Sequence, residues 1–488
     1  MATYTTTQDG NDQSDATWGG GGHPTSNDDI RVIGHKVTYD AGVSAVTWGN
    51  ITINNAGMLV LPINASSTLS FSGTAVLTVN SGGEIRTGTT SAAAAVGSAY
   101  TLTIQWSNGT TARNVFVVAV GGKVDIRGDA SYYGDRYAYL DSNWTTGNTV
   151  YLQGNMTGKW AAGHVFYIFD NADSYTSYQL QGDTYTISSV GAYDSGNDRT
   201  PVVVPAANPT RTCYAVNNSG WRSMLCMCSR NVILKDTGQN SFEVYGYNSY
   251  TEYISIAPGT QTSQTVFFSN CLFQGFGNVL NNGAWAKMTA CAAVNCVAVL
   301  SYGTRQIIDI DAISCSGVTA SNQVVGGYLT GYFGGVGVVL NNVASVYGDG
   351  FFVSCGTVIS GSRGAVSGEF ICCGTLLSSA YRYVVTGDFF NNQTVAAYTS
   401  DCRINGDMKN NATIAVRASA VVVADLSSVS FPSQAYEGYE AYMVLEGCTV
   451  NGGSYEAIRI YGTSGNILPL DSSDTDWQTP NSGHSWIM

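Results

Sequence analysis

Residues 265–303 read TVFFSNCLFQGFGNVLNNGAWAKMTACAAVNCVAVLSYG. Short runs of alternating apolar residues are cut by Asn, Gly or Ser before any of them reaches helical length. Period-2 alternation is the pattern of a half-buried strand, and the cutting residues are those that favour turns. The same grammar recurs in RQIIDIDAISCSGV (305–318), VGVVLNNVASVYGDGFFVSCG (336–356), GAVSGEFICCGTLL (364–377) and ATIAVRASAVVVADLSSVSF (412–431). Cysteines mark its period. Cys271 and Cys291 are 20 residues apart, Cys296 and Cys315 are 19, and Cys315 and Cys355 are 40, twice 20. A repeat near 20 residues is the coil length of a solenoid. About ten such coils fit between residues 225 and 460, a rod on the order of 45–50 Å at the spacing between strands.

All twelve cysteines lie between Cys213 and Cys448, and several follow a polar residue, as in SNC, VNC, ISC and VSC. No CxxC pair occurs, and no histidine stands near CMC (226–228) or the doublet Cys372–Cys373, so zinc is not expected. Two readings stay open for Cys271, Cys291, Cys296, Cys315 and Cys355. They are either small apolar side chains stacked inside the solenoid or inter-coil disulfides, since neighbouring coils approach within disulfide range.

Working outward, the chain divides into five stretches. Residues 1–16 are polar and acidic, an arm that anchors to partner proteins. Residues 17–120 alternate short strands with glycines, beginning TWGGGGHPTSNDDIRVIG. Residues 121–210 continue in strands with an aromatic insertion, SYYGDRYAYLDSNW, and end at PVVVPAANP, which holds three of the nine prolines. Residues 211–465 carry the coil pattern. Residues 466–488, with Trp477, Trp486, Ile487 and Met488, are too apolar to dangle and are expected on the last coil or at a subunit interface.

Composition excludes several functions. Charged residues are 11% of the 488 and the net charge is −13, with the six lysines scattered singly. Neither nucleic acid nor an anionic membrane is expected as a partner. The N-terminus shows no basic-then-apolar leader, and no run of about 18 apolar residues occurs. Synthesis in a host cytoplasm followed by release in a virion, with an extracellular surface as the alternative, fits that and the tyrosine-rich, weakly charged surface.

Trp18, Gly19–Gly22, Pro24, Asp28, Asp29 and Val32, followed by GMLVL and LTVNSGGEI, resemble the glycine-rich head domain named for its eight glycines. That domain fronts fibrocystin-like and cell-surface hyaluronidase-like proteins and their phage and bacterial relatives. GGKVDIRG (121–128) is similar to the family's Gly-Gly strand, TGKWAAGHVFYIF (157–169) to its Trp-x-x-Gly-Asp strand, and CSRNVILK (228–235) to its Ser-Arg-Asn entry to a β-helix. The resemblance covers about residues 17–235. It implies an all-β chain in which a glycine-rich head precedes a right-handed parallel β-helix. His164 stands where the family carries Asp, and no histidine occurs between His164 and His484, so the family's histidine-rich coils have no counterpart.

Chemistry would then fall to carboxylates. Asp309 and Asp311 in IIDIDAI are two apart on one strand and so share a face, at a separation workable for glycoside hydrolysis; the plainer expectation is Ile in and Asp out. Tyr132, Tyr137, Tyr139, Tyr245 and Tyr247 alternate with polar residues and are the candidate binding residues, for stacking on sugars or on a protein neighbour. No metal site is expected: DGNDQSD (9–15) resembles a calcium loop, but Gly20 stands where its bidentate Glu would be. No cofactor is expected either. The sequence therefore points to a non-enzymatic virion protein, a phage fibre, spike or decoration protein, trimeric and able to touch host polysaccharide. The alternatives are a polysaccharide depolymerase of the tailspike kind and an extracellular adhesin.

Overall fold

In the computed structural model the residue before each of six cysteines turns a corner. Asn270, Ala290, Asn295, Ser314, Ser354 and Cys372 hold φ between 51° and 54°, and each is followed by a cysteine. That left-handed conformation costs a residue with a side chain about 1 kcal/mol, and Asn bears it best. The corner amides reach the next coil, as from Asn295 to the Ile313 carbonyl (3.1 Å) and from Ser354 to that of Ile371 (2.9 Å). The following residue then points inward. Cys296, Cys315, Cys355 and Cys373 occupy one interior column with Phe276 and Val336, while Cys271 and Cys291 stack at a different corner. All six thiols are free and buried, and burial, aided by the neighbouring thiol, pushes those of Cys271, Cys296 and Cys373 well up. These cysteines are thus stacked apolar side chains in two columns.

The structure describes residues 2–469 apart from several segments, of which 170–181, 237–251 and 257–265 are the longest, and, as far as Ile404, most of the side chains of the residues it describes. Within it the strands form three parallel ladders, one along each side of a parallel β-helix. The first passes through Asp29–Ile33, Ile51–Asn54, Leu77–Val79, Arg113–Val118 and Glu252–Ile256 into the long strands that follow. The second takes in Lys36–Thr38, Met58–Leu61, Glu84–Thr87, Lys123–Arg127 and Val266–Ser269. Ser67–Phe71, Leu102–Trp106, Val232–Asp236 and Cys271–Gln274 belong to the third.

Residues 17–120, expected as a head in front of the solenoid, therefore build coils of the same solenoid, which starts far ahead of residue 211. The arm expected at 1–16 also departs from its expectation. Thr3–Thr5 pairs in parallel with Asp29–Arg31, Gly10–Asn11 pairs with Val37–Thr38, and Trp18 is buried with its indole N–H on the Asp12 carbonyl at 2.9 Å. Strand pairing and that one indole order a segment whose composition alone reads as unfolded. At the other end, Ile467–Pro469 continues a ladder beside Met443–Leu445. The rest of 466–488, with its tryptophans, lies outside the described residues, as do Tyr245 and Tyr247.

The interior is a set of in-register columns. Phe333, Phe352, Phe370 and Phe389 stack with ring centroids 5.1, 4.9 and 4.9 Å apart, close to the spacing of strands in a sheet. Two residues before each phenylalanine lies a glycine: Gly331, Gly350, Gly368 and Gly387. A Cβ on Gly368 would lie 1.8 Å from the Gly350 carbonyl oxygen, and φ there is +141°. The sharp corner between the second and third ladders exists only because these positions carry no side chain.

Between Arg127 and Val232 the chain leaves the coil and returns. The excursion folds as two antiparallel sheets. One joins Tyr137–Tyr139, Met224–Met227, Val165–Phe169 and Gly182–Thr186; the other joins Thr149–Gln153, Arg199–Val203 and Ser189–Val190. Val165–Phe169 is buried throughout because each of its faces has a core to fill. Phe166 and Ile168 pack inside the excursion with Trp144, Trp160 and Leu225. Tyr167 and Phe169 face the shaft, against Leu272, Ala292, Ile313, Tyr332, Val353 and Ile371 of six successive coils.

Candidate functional site

Ser229–Arg230–Asn231, the run where the resemblance places an entry to the β-helix, is where the excursion rejoins the shaft. Ser229 Oγ accepts the Val165 amide (2.7 Å), and Asn231 accepts the Asp129 amide (2.9 Å) while donating to the Val96 carbonyl (2.9 Å). Arg230, with a fully buried side chain, donates to the carbonyls of Met227, Ser229 and Ala290 (each 2.8 Å) and to Asp311 Oδ2 (2.8 Å). Asp311 Oδ1 accepts the Tyr137 hydroxyl (2.6 Å) and the Tyr332 amide (3.1 Å). Arg136 donates to Asp309 Oδ1 (2.8 Å), and Asp309 Oδ2 accepts the amide of Ala290 (2.9 Å). Asp309 and Arg230 thus hold the amide and the carbonyl of a left-handed alanine corner.

Two arginines and two aspartates make the cluster neutral in sum. Arg136 pays desolvation that would lower its pKa, yet the Asp311 and Asp309 carboxylates raise it further. Burial and the Asp311 charge push the Tyr137 hydroxyl far up. The two candidate carboxylates do point out of the shaft together, but no substrate reaches both. Asp309 is 25% exposed and Asp311 is wholly covered by the excursion. The pair fastens the excursion to the shaft. Tyr137 belongs to this interface, its ring centroid 6.2 Å from that of Tyr332 and 5.5 Å from Phe351. Tyr139 sits half-buried on its rim under the Arg222 guanidinium (5.3 Å), with burial first and then Glu369 raising its hydroxyl. Tyr132 closes a short 3-10 turn, Ala130–Tyr132, at the start of the excursion.

Beside the excursion lies a face the sequence reading passed over. Tyr328 and Tyr347 are in register on adjacent coils, 62% and 51% exposed, their rings stacked at 5.7 Å with planes 26° apart. Val384, also exposed, continues that line two coils on. The next outward line carries Asp309, Thr330, Asp349, Ser367 and Thr386, in which Ser367 Oγ donates to Asp349 Oδ1 at 2.8 Å. Past the glycine corner come Phe351, Glu369 and Asp388 in register, next to Tyr139 and Arg222 of the excursion. A signal for this face was present in the sequence. YLTGYF, YGDGFF, AVSGEF and VVTGDF, starting at 328, 347, 365 and 384, repeat one Gly-x-Phe frame at 18–19 residues. Among the described residues, no group of three metal-ligating side chains is found, and no helix is long and apolar enough to cross a membrane.

No family model and no curated protein matches the chain. Solved structures that align with it include the Gp54 tailspike of Acinetobacter baumannii bacteriophage AP22 in complex with A. baumannii capsular saccharide, at 11% identity and a TM-score of 0.19. The Pseudomonas phage phi297 tailspike gp61 aligns at 12% and 0.18, and the Pseudomonas phage LKA1 tailspike protein gp49 at 11% and 0.18. The alignments cover 84%, 84% and 86% of this chain and 65%, 65% and 67% of the three structures in turn. At those TM-scores the likenesses carry no argument, and the parallel β-helix rests on the strand pairing itself.

Proposed function

We propose that this chain is the shaft of a bacteriophage appendage, a fibre, spike or decoration protein, and that it docks a host-surface polysaccharide on the face bearing Tyr328 and Tyr347 without chemistry of its own. One observation carries the reading: two stacked, majority-exposed tyrosine rings fixed on a rigid ladder beside a line of hydroxyl and carboxylate groups. Rigid amphipathic rings lose little conformational freedom on binding and offer flat apolar area to the faces of sugar rings. A weakly charged, hydroxyl-rich shaft suits a surface that must stay dispersed outside a cell. Assembly as a trimer and attachment to the particle through residues 1–16 belong to the same proposal, the latter now as a folded first coil. Affinity measured against polysaccharide purified from a host should fall at least tenfold in Tyr328→Ala/Tyr347→Ala with the melting temperature unchanged. Unchanged affinity refutes the assignment of the face, and absence of the chain from purified virions by mass spectrometry refutes the appendage.

A second reading is favoured by Glu369 and Asp388. In-register neighbours in a sheet lie about 4.8 Å apart, close to the roughly 5–5.5 Å between the carboxyl groups of retaining glycosidases. Release of reducing sugar from host polysaccharide, abolished by Glu369→Gln or Asp388→Asn, would make the chain a depolymerase and displace the first reading.

A further inference from the structure

Past the glycine corner the outward residues run into a wall. Asp388, Glu369, Phe351 and Tyr332 follow one another in register on four successive coils. Exposure falls along that column: Asp388 is exposed, Glu369 and Phe351 are half-buried, and Tyr332 has no accessible surface. The excursion is what covers them, with the Tyr137 ring 5.5 Å from Phe351 and 6.2 Å from Tyr332. One column further round, Val353 and Ile371 are buried against the same module. Its rim carries Tyr139 and the exposed Arg222, whose guanidinium lies over the Tyr139 ring at 5.3 Å, with Glu369 alongside. Glu369 and Asp388 therefore lie in a corner walled on two sides. It opens towards the tyrosine face, where Asp349 and Thr386 are exposed.

We infer that this corner seats the end of a glycan chain, so that the protein recognises the terminal sugar of a polysaccharide rather than its interior; this rests on the proposal that such a polymer docks on the adjoining tyrosine face. A straight chain entering along the column meets Tyr137 and Tyr139, and one entering across it meets the module that buries Ile371. Either way nothing passes beyond Phe351. The corner has what a terminal sugar needs. Phe351 and Tyr139 offer apolar ring area, Arg222 donates, and Glu369 and Asp388 accept from hydroxyls. A terminal sugar keeps a free hydroxyl where an interior one carries the next glycosidic bond. From Tyr347 to Phe351 is four residues of strand, no more than about 13 Å. The sugars that follow the seated end therefore run out over Tyr347 and Tyr328.

Polysaccharide purified from a host should be cut by partial acid hydrolysis into long, medium and short pools. Equal masses of each then compete with the uncut, immobilised polymer for the full-length chain, for Arg222→Ala/Glu369→Gln and for Tyr328→Ala/Tyr347→Ala. The expected result is competition that rises in proportion to the number of chain ends as the pools shorten. Affinity should fall at least tenfold in Arg222→Ala/Glu369→Gln with the melting temperature unchanged. Competition set by mass, level or falling as the pools shorten, would overturn end recognition, and its loss in Tyr328→Ala/Tyr347→Ala would leave the tyrosine platform standing. End-proportional competition that survives Arg222→Ala/Glu369→Gln would overturn the corner. End-proportional competition that needs the corner but not the tyrosines would uphold this inference and overturn the platform. No competition by any pool would overturn both.

Discussion

Replacing Asp311 by Asn should loosen the excursion without unwinding the shaft. The substitution keeps the shape and an acceptor for the Tyr137 hydroxyl but removes one of four charges that sum to zero. Arg230, with no exposed side-chain surface, is then left without its counter-ion. Removing one partner of a buried pair costs about 3–5 kcal/mol, since the remaining charge stays desolvated. That corresponds to roughly two to three and a half powers of ten in the opening equilibrium of whatever Arg230 must leave to reach water. The element that must leave is the excursion, because three of the carbonyls holding Arg230 come from its closing turn and the corner beneath it. Native-state hydrogen exchange followed by mass spectrometry reads this directly: amides of Val165–Phe169 and Met224–Met227 should exchange faster by that factor, while those of Phe352–Phe370 stay protected. Asp309→Asn is the control. A quarter-exposed Asp309 leaves Arg136 able to hydrate, so its effect should stay near 1 kcal/mol. Exchange in Asp311→Asn within threefold of the parent, or a larger effect from Asp309→Asn, would refute the clamp.

Phe370→Ala opens a hole in the middle of the phenylalanine column and should cost about 3–5 kcal/mol in chemical denaturation followed by circular dichroism. Gly368→Ala forces a methyl into the Gly350 carbonyl at a φ that alanine avoids, so expression in soluble form should be lost while Ala365→Gly is tolerated. His164 should make the excursion acid-sensitive. It is buried, its Nδ1 accepts the Ala161 amide (3.2 Å), and burial followed by the Arg230 charge holds its pKa below the ordinary value. The unfolded chain then takes up the proton first, so stability is full above about pH 6.5 and falls as pH drops below it. Melting curves between pH 8 and 5.5 should show that fall, and His164→Asn should flatten it.

The solenoid was legible because its corners are written in residue types. A residue able to hold positive φ, followed by a small apolar one, marks each turn, and Asn295–Cys296 or Ser354–Cys355 announce themselves at the coil period. The outward aim of Asp309 and Asp311 was equally legible, being plain alternation. What covers Asp311 was not, since Tyr137 lies 174 residues away and no local pattern records which surface an inserted module will occupy. The N-terminal coils were misassigned for a related reason. Thr3–Thr5 has too little apolar surface to declare itself a strand, and its order comes from the neighbour it pairs with. Tyr328 and Tyr347 escaped notice because each looks ordinary alone; only the shared Gly-x-Phe frame brings the two rings into register.

In this rod the inter-strand hydrogen bonds run close to the long axis, so a pull from end to end loads the interfaces between coils in series. The weakest gives first, and the chain peels one coil at a time. The excursion changes that mechanics over part of the length. By seating Tyr167, Phe169 and Met224 across coils from Leu272 to Ile371, it works as a splint. No coil beneath it can separate from its neighbour without shearing apolar contacts along the whole span. Under tension the splinted section should rupture as one unit at higher force, and the coils outside it, before Leu272 and beyond Ile371, should yield first, in small steps.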